Sequence, residues 1–208
     1  MKTILLIVGI LLLTLSSVTR AEVAPEDLVR KTAEQIITEI KANRELYKKD
    51  YTKLYKMADA KVLPHFDFRR MSQWVLGKHW KDATPQQRDR FTAEFRDLLV
   101  GTYSQALLNY DDQEIIYLPV QRKLEDTEVT VKTEVKQSSG PNVTLNYSFY
   151  KNKEGGWKVY DISIEGVSLV TNYRSVYATK VRDKGMDALI AEITESNKKK
   201  RLAAGGKA

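Results

Sequence analysis

The residue types most suited to chemistry lie near the C-terminal end, in the stretch WKVYDISIEGVSLVTNYR, residues 157–174. It holds two carboxylates, Asp161 and Glu165, close in sequence to Tyr160, Tyr173 and Arg174. An aspartate base beside a tyrosine donor can enolise a ketone, as in isomerases whose curved sheet surrounds the substrate. The stretch could therefore serve an enzyme, or it could form the wall of a container for an apolar ligand.

The alternation of this stretch does not give a clean active site. On a regular strand Asp161 shares a face with Trp157 and Val159, whereas Tyr160 and Ile162 point to the other face. Neither face is then cleanly polar, so either a β-bulge rotates the strand or both faces are covered. A buried aspartate here could equally bond to the backbone or to a nearby Lys or Arg. An isomerase- or hydrolase-like enzyme that uses Asp161 stays open as an alternative function.

Other catalytic and metal-binding chemistry has little support. The chain has no cysteine, which excludes thiol catalysis and cysteine-ligated zinc. His65 and His79 are the only histidines, and no acidic residue stands at a metal-ligand spacing with both. There is no glycine-rich phosphate loop. We therefore predict neither a metal site nor a cofactor.

The N-terminal segment predicts export. Residues 1–21 combine Lys2, an apolar run and small residues at a cut site, which is typical of a secretory signal peptide. Its removal takes away Lys2 and Arg20 and lowers the net charge from +7 to +5. We expect a periplasmic protein with no nucleic-acid partner. The excess positive charge suits anionic lipid head groups or an acidic protein surface, although solubility alone explains it equally well.

The periodicity predicts helices, then strands, then helices. Proline and acids at residues 25–27 begin the first helix, and Thr84-Pro85-Gln86-Gln87 is a strong start signal for a long one. Gly101 lies inside that helix, which predicts a close neighbour. Period-two segments at 114–120, 127–136, 143–150 and from 157 predict an antiparallel meander. We expect an α+β fold in which helices cover one face of a curved antiparallel sheet of about four strands, an NTF2-like elaboration that encloses an apolar cavity. Residues 22–197 form the single domain, and residues 198–208 a basic disordered tail.

Three longer stretches carry a family resemblance. FDFRRMSQWVLGKHW, TPQQRDRFTAEFRDLL and WKVYDISIEGVSLVTNYRSVY resemble the MlaC (toluene-tolerance) family of periplasmic phospholipid-binding proteins. The resemblance implies a monomeric carrier that moves phospholipid between an outer-membrane lipoprotein-porin complex and an inner-membrane ABC transporter with its lipid-binding ring. That role maintains outer-membrane lipid asymmetry. It also implies that the bound phospholipid is cargo and that the protein is not an enzyme.

A carrier needs an apolar interior, because exposing on the order of 30 methylenes at about 0.8 kcal/mol each opposes free passage by about 20 kcal/mol. The predicted lining residues share apolar character and spacing that suits the interior, although such residues are also compatible with plain core. They are Trp74, Val75, Leu99 and Tyr103 as roof, Tyr147, Phe149, Ile162 and Ile164 as floor, and Val167, Leu169 and Val170 as wall.

The predicted head-group site is the pair Tyr173 and Arg174, because a guanidinium binds phosphate oxygens in a bidentate way. Arg174 could instead form an internal salt bridge with Asp161 or Glu165. A last alternative is a non-lipid adaptor that bridges envelope proteins and has a filled core.

Overall fold

The computed structural model describes residues 23–110, 113–137 and 139–203, without the side chain of Gln105. The predicted signal peptide, residues 1–21, lies outside these ranges, so its assignment stays a prediction. Among the helices that are described, none has the length and apolar character needed to cross a membrane.

The first half of the chain is helical, and its start signals behave as predicted. Pro25 occupies the first turn of α1, with Glu26 and Asp27 beside it at the positive end of the helix dipole. A capping box begins α5: Thr84 N–H donates to Gln87 Oε1 at 3.0 Å, and Gln87 N–H donates to Thr84 Oγ1 at 3.2 Å. The helices are α1 Pro25–Lys49, α2 Tyr51–Lys61, α3 Phe68–Leu76, α4 His79–Asp82 and α5 Pro85–Leu108, with a 3-10 turn at Leu63–His65.

The second half opens with an antiparallel sheet, which confirms the α+β prediction. Its strands are β1 Ile115–Tyr117, β2 Glu128–Val135, β3 Val143–Lys151, β4 Trp157–Ile164 and β5 Val167–Ser168, in that spatial order. β5 is a short addition to the four strands expected. It follows a two-residue turn in which Glu165 and Gly166 have φ of 51° and 77°, the geometry that suits tight hairpins.

A bulge in β4 answers the question that the alternation left open. The register pairs Ser148 with Asp161 and Phe149 with Val159, so Tyr160 is an extra residue opposite the β3 strand. The inserted residue reverses the alternation after it. The apolar residues on both sides of the bulge therefore share the face towards the helices, and Asp161 turns to the opposite face.

Two helices end the chain, α6 Leu169–Lys184 and α7 Met186–Ala203. The prediction of a disordered tail at residues 198–208 is corrected for residues 198–203, because α7 remains helical through Ala203, whereas residues 204–208 lie outside the described ranges. Long-range contacts to α5 explain the extension. Asn197 donates to the backbone carbonyl of Glu94 at 2.9 Å and to its carboxylate at 2.8 Å. One turn later Arg201 pairs with Asp97 at 3.2 Å.

The apolar residues form three buried clusters. The main cluster joins α3, α5, α6 and α7 around Phe91, Phe95 and Ile190. A second cluster joins α1 and α2 to the end of α5. The third lies between α1 and the sheet, around Val131 and Phe149. The helices thus cover one face of the sheet, as the sequence predicted.

Candidate functional site

The helices contact the sheet at its sides more than at its centre. α1 packs on β2, whereas α3 and α6 pack on β4. The long α5 packs mainly against α7, α3, α1 and α2. Among the described elements, β3, the middle strand of the sheet, has fewer close helix contacts than β2 or β4, although Val29 of α1 shares a buried cluster with Phe149 at its end.

This arrangement leaves apolar side chains of the sheet incompletely covered. Phe149 at one end of β3 is 1% exposed. Leu145 and Tyr147, which face the same way, keep accessible surface, and so do their cross-strand partners Ile164 and Ile162. The helices therefore cover this part of the sheet incompletely. We call this break in the helical cover the β3 gap and define it by six partly accessible side chains: Leu145, Tyr147, Ile162 and Ile164 of the sheet and Tyr103 and Tyr173 of the helices.

Tyr147 is largely surrounded by protein and yet incompletely covered. Burial raises the pKa of Tyr147, an effect that the Thr133 hydroxyl partly opposes. The Tyr147 side chain nevertheless retains accessible surface.

The predicted lining residues divide into two groups. Four of them lie in the β3 gap: Tyr103, Tyr147, Ile162 and Ile164. Five others are tightly packed core residues in this structure: Val75, Leu99, Phe149, Leu169 and Val170. Leu145 was missed, although the alternation of β3 places it on the same face as Tyr147 and so contained the signal.

The structure corrects the predicted interior positions of Trp74 and Val167, which are 42% and 57% exposed. The buried face of α3 carries Met71 and Val75, whereas Trp74 lies outside and packs on Tyr160 with ring centroids 5.2 Å apart. Val167 follows the tight turn before β5, so it lies at the tip of a hairpin.

The two predicted head-group residues differ in their surroundings. Tyr173 belongs to an aromatic cluster, with its ring edge-on to Phe95 at 5.2 Å. Arg174 is exposed, and its guanidinium lies against Gly77, where an added Cβ would approach Nε to 3.0 Å. Within the described ranges, Arg174 forms neither of the ion pairs considered for it, with Asp161 or with Glu165.

Asp161 has a structural role. Its Oδ1 accepts a hydrogen bond from the backbone N–H of Val170 at 3.1 Å, and its Oδ2 accepts one from the Ser168 hydroxyl at 2.5 Å. Ser168 itself caps α6 by accepting from Thr171 N–H at 3.0 Å. The carboxylate therefore holds the first turn of α6 to β4, which leaves it poorly placed to act as a base.

Polar clefts on the surface differ from the β3 gap. A cleft of about 590 Å³ lies between α3 and the end of β3 and is lined by residues such as Arg70, Trp80 and Tyr150. A second, of about 330 Å³, lies along α1 beside Glu34 and Lys61. The enclosed apolar cavity predicted from the sequence is neither of these and stays a prediction. In the part of the chain that is described, no three acidic or histidine side chains group as metal ligands.

Comparison with known proteins agrees with this architecture. The family profile described as MlaC protein matches residues 30–195. The intermembrane phospholipid transport system binding protein MlaC of Haemophilus influenzae is 30% identical over 190 residues, which are 88% of this chain and 88% of that protein. The toluene tolerance protein ttg2D of Pseudomonas putida is 28% identical over 180 residues, with 86% and 82% of the two chains covered.

A solved structure shows the same fold. The phospholipid-binding protein from Ralstonia solanacearum, determined in complex with a phospholipid, superposes with a TM-score of 0.79 and 31% identity. The match covers 86% of this chain and 99% of that one. The family profile spans most of the described residues, and the similarity in sequence and in fold is continuous along them. The chain belongs to the MlaC family.

Proposed function

We propose that this chain is a periplasmic phospholipid carrier. It takes up phospholipid from an outer-membrane lipoprotein-porin complex or delivers it there, and it exchanges the lipid with an inner-membrane ABC transporter and its lipid-binding ring. The consequence is maintenance of outer-membrane lipid asymmetry. The relative from Haemophilus influenzae is named as a binding protein of an intermembrane phospholipid transport system, which supports this assignment.

One observation carries the proposal. The Ralstonia solanacearum protein, which binds a phospholipid in its structure, matches this chain with a TM-score of 0.79 over 99% of its own length. A fold shared at 31% identity supports a similar arrangement of layers in the two proteins. We assign the acyl chains to the β3 gap, because its apolar side chains are incompletely covered.

The chemistry of the β3 gap supports the same conclusion. It combines aliphatic side chains of the sheet with tyrosines of α5 and α6. Acyl chains gain about 0.8 kcal/mol for each methylene removed from water, so such a surface binds them without any specific polar contact. Polar groups are needed only where the head group remains in water.

Delivery of the lipid requires contact with a partner. Release of acyl chains into water meets the same hydrophobic cost that uptake avoids. The carrier must therefore dock against each membrane complex before its cargo leaves. The predicted signal peptide supports a periplasmic site of action, where such a protein meets both membranes.

Native purification tests the proposal. The protein is exported to the periplasm of a Gram-negative host, purified without detergent and extracted with organic solvent. Mass spectrometry of the extract should find phospholipid in a fixed ratio to protein. A delipidated sample should then accept fluorescent phospholipid from donor vesicles. A protein that neither carries phospholipid nor accepts it would contradict the proposal.

A further inference from the structure

The end of α7 places a cation beside the helices that border the β3 gap. Lys200 donates a hydrogen bond from its ammonium to Thr102 Oγ1 at 2.7 Å. Its aliphatic chain crosses α5 at Gly101, where an added Cβ would lie 3.6 Å from Lys200 Cδ. The sequence predicted a close neighbour for Gly101; the structure places Lys200 there, at an ordinary van der Waals distance. A residue assigned from sequence to a disordered tail is thus fixed on the helical layer.

The charge of Lys200 lacks a compensating carboxylate. Arg201, the next residue, pairs with Asp97. Lys200 has no ion pair within the residues that the structure describes, and its side chain is half-buried. Burial lowers the pKa of Lys200, as expected for an ammonium that loses water and gains no anion. An anionic ligand would supply the missing partner.

Hydroxyl groups connect this cation to the β3 gap. Burial raises the pKa of Tyr173, and the Thr102 hydroxyl opposes part of that rise, so the two hydroxyls are neighbours. Burial also raises the pKa of Tyr103, and Tyr173 adds to the effect. Tyr103 and Tyr173 border the β3 gap, whereas Thr102 accepts the hydrogen bond from Lys200. The Lys200 ammonium therefore lies beside the helical residues that border the β3 gap.

We propose that Lys200 and Tyr173, arranged around Thr102, form an anion site at the rim of the β3 gap and bind the phosphate of a lipid whose acyl chains occupy the gap. The proposal rests on the proposed function and names the polar end of that same site. An ammonium has three N–H donors, of which Thr102 accepts one, so two remain for phosphate oxygens. Thr102 donates its own proton to the Leu98 carbonyl at 2.7 Å, which orients its oxygen towards Lys200.

Binding of two lipids that differ only in the phosphate head group tests this site. Phosphatidylglycerol and diacylglycerol with the same acyl chains are presented to delipidated protein in micelles of one non-ionic detergent. Lys200→Met should weaken phosphatidylglycerol binding about tenfold, because a charge-assisted hydrogen bond is lost, and should leave diacylglycerol binding unchanged. Lys200→Arg should restore most of the affinity. Lys199→Met, an exposed lysine of the same helix, is the matched control and should behave as the wild type.

The outcomes separate this inference from the proposed function. Suppose that wild type binds both lipids and that Lys200→Met keeps the wild-type ratio of phosphatidylglycerol affinity to diacylglycerol affinity. The anion site is then overturned and the carrier function stands. Equal weakening of both lipids, with a lower unfolding midpoint, would assign Lys200 a purely structural role and also overturn the site. Wild type that binds neither lipid contradicts the proposed function itself.

A spectroscopic measurement distinguishes a lipid phosphate from a free one. The side-chain resonance of Lys200 is followed through a pH titration in delipidated protein. Phosphatidylglycerol should raise the pKa of Lys200, since a bound anion favours the charged form, and diacylglycerol should not. An equal shift produced by millimolar inorganic phosphate would show that the site takes free phosphate and would overturn the assignment to a lipid head group.

Discussion

Asp161 and Val170 are joined by a hydrogen bond of 3.1 Å between the carboxylate Oδ1 and the backbone N–H. The second carboxylate oxygen accepts from Ser168. These bonds attach the first turn of α6 to β4, and α6 in turn carries Tyr173 to the β3 gap. The residue whose type best suits catalysis is therefore the one that positions a wall of the candidate binding site.

Asp161→Asn should lower stability without removing lipid. The neutral amide removes the charge that strengthens both hydrogen bonds and replaces one acceptor oxygen by a donor, so we expect a cost of about 1–2 kcal/mol in the free energy of unfolding. Urea unfolding measures the change, and mass spectrometry of a solvent extract measures the lipid. Asp183→Asn, at an exposed ion pair with Arg182, is the matched control. A fully stable Asp161→Asn protein that had lost a measurable turnover would revive the enzyme hypothesis.

The bulge at Tyr160 marks the limit of strand prediction from sequence. Alternation along β3 was regular and correctly predicted which side chains share a face. In β4 the same rule placed Asp161 beside Trp157 and Val159, because an inserted residue leaves no local signature in residue types. Only the pairing with the neighbouring strand, Ser148 with Asp161, shows where the alternation reverses.

Filling the β3 gap should abolish lipid binding and leave the fold intact. Leu145 faces the gap and is incompletely covered, so the larger side chain of Leu145→Trp has space to occupy. We expect the free energy of unfolding to change by less than about 1 kcal/mol, since a substitution into unfilled space avoids the strain of overpacking. Phospholipid retention after native purification should fall to background.

A tightly packed residue on the same face of the sheet provides the control for Leu145→Trp. Val131 is 1% exposed, so Val131→Phe should overpack the core and cost about 1–3 kcal/mol. Urea unfolding of both variants measures the contrast. A Leu145→Trp protein that is as destabilised as Val131→Phe would mean that the space beside Leu145 is already filled. Undiminished lipid in a stable Leu145→Trp protein would place the lipid elsewhere.

Residue type alone could not separate lining from core. Val75 and Ile164 are both aliphatic and each fits the inward-facing pattern of its own element, yet Val75 is fully buried and Ile164 is partly accessible. The difference depends on how far apart the layers pack, which no local pattern encodes. The C-terminal extension of α7 was missed for a related reason. Its anchor is the bond from Asn197 to Glu94, two residues that are remote in sequence.

Arg70→Lys should destabilise the outer surface of α3. The guanidinium lies 3.9 Å from the ring centroid of Tyr150, 5.2 Å from that of Tyr160 and 5.8 Å from that of Trp74. A guanidinium is planar and can stack on these rings, whereas a lysine ammonium is not planar and cannot. We therefore expect a loss of about 1 kcal/mol in the free energy of unfolding. Arg90→Lys, at an exposed ion pair, should change stability by no more than about 0.5 kcal/mol. Equal effects of the two substitutions in urea unfolding would contradict a specific contribution from the aromatic surroundings.

The raised pKa of Tyr47 predicts a loss of stability at alkaline pH. Its hydroxyl donates to Glu39 Oε1 at 2.8 Å, and its side chain is 4% exposed. Burial and, after it, the Glu39 carboxylate raise the pKa of Tyr47 to about 12. In the unfolded chain a tyrosine loses its proton at a pKa of about 10. Between these two values the unfolded state binds fewer protons than the folded state, so the free energy of unfolding falls as pH rises.

Two variants test whether Tyr47 causes this fall of the unfolding free energy with rising pH. Tyr47→Phe removes the titrating group and should make the fall in unfolding free energy between pH 10 and about 12 shallower. Glu39→Gln removes the carboxylate that contributes to the shift, so it should bring the pKa of Tyr47 closer to its ordinary value and reduce the slope by a smaller amount. Urea unfolding at a series of pH values measures both effects, and phenolate absorbance reports the ionisation. If Tyr47→Phe retains the full wild-type slope, the alkaline sensitivity arises from other buried tyrosines such as Tyr55 and Tyr177, whose pKa values burial also raises.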